Sequence, residues 1–90
     1  MQAPTVTNMT SARGNKIANQ FLIWTDQGQY FQSYQTIIAF RDNAGNVTHD
    51  RNRWDYSITT GKYRNSFLGM NKAQTEKAIK AGQIKLEDLN

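Results

Sequence analysis

The spacing of apolar residues divides the chain into a β-like first part and a helical second part. Residues 1–15, with Pro4, Gly14 and many Thr, Ser and Asn, show no apolar period, and residues 1–12 read as a flexible N-terminal arm. From Lys16 to Thr25 the run Ile17, Phe21, Leu22, Ile23, Trp24 predicts a strand covered on both faces for part of its length. Asp26-Gln27-Gly28-Gln29 has the chemistry of a hairpin loop.

A long second strand is predicted over Tyr30–Arg41. Tyr30, Tyr34, Ile38 and Phe40 share one parity, while Phe31, Ser33, Gln35, Ile37 and Ala39 share the other. A strand of that length must twist or bend, and Gln32-Ser33 is the expected bulge. After a turn at Asp42–Asn46, a third strand starts at Val47, is interrupted at His49–Arg53, and resumes through Trp54, Tyr56 and Ile58.

Helical signals take over at Thr59-Thr60, which can cap a helix. Tyr63 and Phe67 stand four residues apart, and Gly69 supplies a C-terminal stop. Asn71 followed by Gln74 predicts a capping box opening a second helix over Lys72–Ala81, stopped by Gly82. Ile84, Leu86 and Leu89 suit an edge strand or a packed tail. The expectation is a single α+β domain over residues 13–90. It consists of an antiparallel three- to four-stranded meander followed by two short helices on one side (β-β-β-α-α).

Ninety residues leave room for one small core and exclude two-domain enzymes and dinucleotide-binding folds. With no cysteine and one histidine, thiolate metal sites, cysteine nucleophiles and two-histidine metal motifs are absent. No cofactor or metal is implied. The longest apolar run, Phe21–Trp24, is far too short to cross a bilayer, and the N-terminus lacks a secretory pattern, so an intracellular protein is expected.

Candidate chemistry is sparse. His49 and Asp50 are neighbours on a strand and point to opposite faces, so they do not form an acid–base pair; His49 reads as an exposed, turn-side residue. No nucleophile elbow surrounds any serine. Thr59-Thr60-Gly61-Lys62 lacks the first glycine of a phosphate loop. Asp42–Asn46 lacks the closing Glu of a calcium loop. The reading is non-enzymatic.

The charge pattern says more. Eleven Lys/Arg against seven Asp/Glu give a net charge of +4. Arg51, Arg53, Lys62 and Arg64 cluster with a single acid, Asp55, and are interleaved with Trp54, Tyr56 and Tyr63. Cations neutralise phosphates and flat rings stack on bases, so this mix suits a single-stranded nucleic-acid surface. The competing account places Trp54 and Tyr56 in the core, where a small domain must use its largest side chains. Tyr30, Phe31 and Tyr34 carry aromatics on both parities. At least one must lie near the surface, as a binding or homodimer contact.

Several spaced words resemble a family of short proteins encoded by bacteriophages and prophages of Gram-positive bacteria: Arg13-Gly14-Asn15, Asn19-Gln20-Phe21, Tyr30-Phe31-Gln32-Ser33-Tyr34, Trp54-Asp55-Tyr56-Ser57, Lys62-Tyr63-Arg64 and Phe67-Leu68-Gly69. The resemblance spans roughly residues 11–90 and carries no active site. It implies an accessory protein working in the cytoplasm of an infected bacterial host. Two roles fit: a nucleic-acid-binding protein, or an inhibitor or modulator of a host bacterial protein, in the manner of an anti-CRISPR or other anti-defence factor.

Overall fold

The computed structural model describes residues 3–90 as a six-stranded sheet with two helices. The strands are β1 (Thr5–Thr10), β2 (Lys16–Thr25), β3 (Gly28–Ser33), β4 (Thr36–Asp42), β5 (Val47–Asp50) and β6 (Ile84–Glu87); the helices are α1 (Ile58–Leu68) and α2 (Lys72–Lys80). Strand order follows the chain, and every neighbouring pair is antiparallel except β5–β6, which is parallel. The α1–α2 hairpin is the crossover that such a parallel pair requires. The α+β class with two helices following a meander stands, with more strands than the three to four expected.

Three corrections account for the difference. Residues 5–10, read as part of a free arm, form β1 and pair with β2 from Thr5–Trp24 to Thr10–Lys16. The single strand expected over 30–41 is two strands, because Tyr34 takes φ 57° and reverses the chain. Its amide donates to the Asn19 carbonyl at 2.6 Å, which fixes the turn against β2. Finally, Trp54, Tyr56 and Ile58 form no strand. The Asp50 carbonyl accepts from the amides of Arg53 and Trp54, and its carboxylate accepts from the Asn52 amide, so the chain coils away from the sheet.

Helix boundaries follow local chemistry. Ser57, rather than Thr59 or Thr60, caps α1 by accepting from the Thr60 amide, and Gly69 closes it at φ 72°. The capping box at Asn71 and Gln74 has both of its hydrogen bonds.

Register assigns the two faces of the sheet. Leu22, Phe31, Ala39 and His49 lie in one cross-strand row beneath the helices. The core is Phe31, Ile38, Ala39 and Phe67, with Met9, Leu22, Tyr63 and Leu68 packed around it. Ile38 joins Ala39 inside because pairing slips between Phe31 and Gln32, a bulge that turns both residues inward. The Phe31 and Phe67 rings stack at 5.8 Å and tie α1 to β3. Burying such a ring contributes about 1.5–3 kcal/mol. Phe31 is fully buried, which removes it from any interface.

The helix-covered face is also unusually polar. Gln20, Ser33 and His49 from the sheet, with Thr60, Arg64 and Thr75 from the helices, are all buried. Ser33 and Thr60 satisfy each other through a 2.9 Å hydroxyl–hydroxyl bond.

Candidate functional site

The connection between β5 and α1 carries most of the sequence-predicted site. The structure divides those residues into two groups. Arg64 belongs to the interior: it is 1% exposed, and its guanidinium donates to the Trp54 carbonyl and to the Asn65 side chain. It also lies 3.8 Å from the Asp55 carboxylate and 5.1 Å from the Trp54 ring centre. Burial pulls the Arg64 pKa down, and Asp55 pushes it back up. An arginine held this way fastens the loop to α1 and offers nothing to a ligand.

Trp54 is half-buried in the same stack. Its ring lies between Arg64 and His49, the latter 5.9 Å away and inclined by 21°. His49 itself corrects the sequence reading, because it is fully buried. Its position in the middle of β5, paired with Ala39 and Leu86, places it under the helices. Neither ring nitrogen has a protein hydrogen-bond partner. Burial lowers its pKa to about 4, opposed by the neighbouring Thr48 backbone and helped by a smaller contribution from the Arg64 charge.

The remaining residues face outward. Arg51, Arg53 and Lys62 are exposed, and among the described residues none of them has a carboxylate partner. Arg51 donates to the Leu86 carbonyl at 3.2 Å. The Arg53 guanidinium lies 5.5 Å from the Tyr56 ring centre, and Lys62 Nζ lies 5.3 Å from that of Tyr63. Tyr56 is 55% exposed, so the core account fails for it, whereas Tyr63 packs against the core. The one acid of the segment, Asp55, is neutralised by Lys72 at 3.0 Å as well as by Arg64.

Topology gathers the outward-facing residues. The β1–β2 connection, the Tyr34–Gln35 turn and the β5–α1 loop all leave the sheet at the same end, as the pairs Thr10–Lys16, Ser33–Thr36 and Asp50–Glu87 show. The first turn of α1 sits over that end through Thr60 and Ser33. Arg13, Lys16, Arg51 and Arg53 therefore lie at one end of the sheet, and Lys62 follows in the second turn of α1, where it borders a separate pocket with Asp55, Arg64 and Lys72.

A cleft of about 670 Å³ opens at this end, lined by Asn19, Phe21, Tyr34, Gln35, Thr36 and Tyr56. Both tyrosines that line it are about half exposed. The cleft coincides with the two non-glycine residues of positive φ among the described residues, Asn19 (64°) and Tyr34 (57°). Asn tolerates that conformation, but an aromatic residue there costs about 1–2 kcal/mol. Strain of this kind concentrates where a side chain must be presented in one direction. The strained backbone presents Tyr34 to the cleft opposite a tyrosine brought from a distant loop. Tyr30 turns away, half-buried, with its ring tilted by 36° against that of Phe40 at 4.5 Å.

Sequence reasoning missed Asn19, Phe21, Gln35 and Thr36. The available signal was weak: an asparagine inside an apolar strand, where it favours an irregular backbone. Among the described residues no group of His, Cys, Asp and Glu could hold a metal ion, and no helix is long and apolar enough to cross a membrane.

A match over residues 5–84, from β1 to the start of β6, decides the family. The chain belongs to a family of unknown function, DUF8033. The whole cleft and the β5–α1 loop lie inside the DUF8033 match, so the candidate site is part of the family's common span. No curated protein and no solved structure matches the chain.

Proposed function

We propose that this DUF8033 protein is a non-enzymatic accessory protein that binds single-stranded nucleic acid across its cleft end. One observation carries the reading: two exposed tyrosines line one cleft at the end of the sheet from which the unpaired cations project. Tyr34 and Tyr56 are the stacking platforms, with Phe21 between them as an apolar floor. Arg53 covers one face of Tyr56, which leaves the other face for a base and sets a cation where the next phosphate passes. Arg51 and Lys62 extend the phosphate track, with Arg13 and Lys16 beyond them. The Asn19 and Gln35 amides supply donors and acceptors to base edges. Asp55, already paired with Arg64 and Lys72, adds little repulsion. The resemblance to phage and prophage proteins supports a place for this activity in an infected bacterium.

The test is fluorescence anisotropy with a labelled single-stranded oligonucleotide across a salt series. Three phosphate contacts from Arg51, Arg53 and Lys62 give a log–log salt slope of about −2, and recruitment of Arg13 and Lys16 steepens it to about −3.5. Tyr34→Ala and Tyr56→Ala each weaken binding by about 1–3 kcal/mol. Absence of binding at low salt overturns the reading, as does binding that neither tyrosine variant weakens.

A further inference from the structure

The face of the sheet turned away from the helices has the opposite character to the face they cover. Register places Val6, Ile23, Tyr30 and Phe40 side by side on it, one from each of β1 to β4, before the row ends in Thr48 and Lys85. Ile37 stands in the next row beside Gln32. From Val6 to Phe40 the row has no charged member, and Val6 is 59% exposed. Helix α1 packs on the other side, through Phe67 on Phe31 and Thr60 on Ser33. Antiparallel sheets with one wet face ordinarily alternate polar residues outward. Here the covered face holds Gln20, Ser33 and His49, and the uncovered face holds the aliphatic and aromatic row.

We infer that the uncovered sheet face binds a second copy of this chain, forming a face-to-face dimer centred on Val6, Ile23, Tyr30 and Phe40. Three features select a second copy. A patch that meets itself across a twofold axis needs no complementary charge, and from Val6 to Phe40 this row has none to offer. The net charge of +4 does not prevent the approach: the row carries a single cation, Lys85 at its β6 edge, while Arg13, Lys16, Arg51 and Arg53 lie at the cleft end of the sheet. The area also suffices. The molecule measures 33 × 33 × 21 Å, the thin dimension being that of one sheet and one helical layer, so the uncovered broad side can supply the roughly 800 Å² per partner of a stable interface. Two such sheets pack about 10 Å apart with their strands within about 30° of one another. The inference is tested apart from nucleic-acid binding, since Val6, Ile23, Tyr30 and Phe40 lie outside the cleft lining, although Phe21 of that lining stands in the adjoining row beside Gln32.

Sedimentation equilibrium of the full chain from micromolar to submillimolar concentration tests it. The expected result is a mass twice 10.3 kDa at the upper concentrations. Val6→Lys, at an exposed position where the fold has little at stake, weakens the dimer at least tenfold, and Tyr30→Lys abolishes it. Trp24→Lys, at an exposed position on the helix-bearing face, leaves it intact. Circular dichroism confirms that each variant is folded. A wild-type monomer at every concentration overturns the inference. So does a dimer that survives both Val6→Lys and Tyr30→Lys, or one that Trp24→Lys removes.

Discussion

The single histidine gives the sharpest test of the interior. His49 is sealed between Ala39, Leu86, Trp54 and the Arg64 region, with no hydrogen bond to either nitrogen. Its folded-state pKa of about 4 lies below the ordinary histidine value of 6.5. The folded state therefore binds fewer protons than the unfolded state between those values. Stability is complete above pH 6.5 and falls with a slope approaching 1.4 kcal/mol per pH unit, until the folded protein itself protonates near pH 4. From pH 7 to pH 5, above the range where exposed carboxylates titrate, the loss is about 2 kcal/mol. Urea unfolding at the two pH values, followed by circular dichroism, reads this directly. His49→Leu fills a similar volume without nitrogens, so its stability is nearly flat over the same interval, and at pH 7 it is at least as stable as the wild type. An equal decline in both proteins refutes the assignment, because the titrating group then lies elsewhere. The His49 ring resonance, unique in the spectrum, reports independently whether the folded protein titrates near 4.

Other consequences follow from the same geometry. Arg64→Ala leaves the Trp54 carbonyl without its donor and a void under Gly61, and destabilises by about 2–3 kcal/mol in urea; a fully stable variant that had lost only oligonucleotide binding would return Arg64 to the binding surface. Gly28→Ala places a methyl group 2.1 Å from the Arg41 carbonyl oxygen across the β3–β4 pair, so soluble folded protein is not expected, and a normal melting curve would disprove the close approach. Ser57→Ala removes the α1 cap and costs about 1 kcal/mol, seen as a lower urea midpoint, whereas Ser66→Ala, at an exposed position within α1, costs much less.

How far the site was readable follows from how its parts are held. Arg51, Arg53, Tyr56 and Lys62 are close in sequence and share one loop and one helical turn, so their cluster was visible before any coordinates. Arg64 looked identical to them. It differs only because α1 rotates it toward Trp54 and β5, a matter of packing that charge patterning does not record. The cleft itself joins Phe21, Tyr34 and Tyr56 from three separate elements, and no local spacing links them. His49 was misread for a related reason: neighbours such as Asp50 and Arg51 suggest solvent, and strand alternation alone does not say which face will be covered.

Signals that act within a few residues were settled by the chain alone: the capping box at Asn71, the stop at Gly69 and the hairpin at Gly28. Each depends on backbone hydrogen bonds or on a φ angle, which neighbouring residues control. Pairing of residues 5–10 with β2, the parallel return of β6 beside β5, and the choice of which sheet face the helices cover belong to tertiary structure. Those outcomes compare burial energies between segments dozens of residues apart, and that comparison exists only once the whole chain is folded.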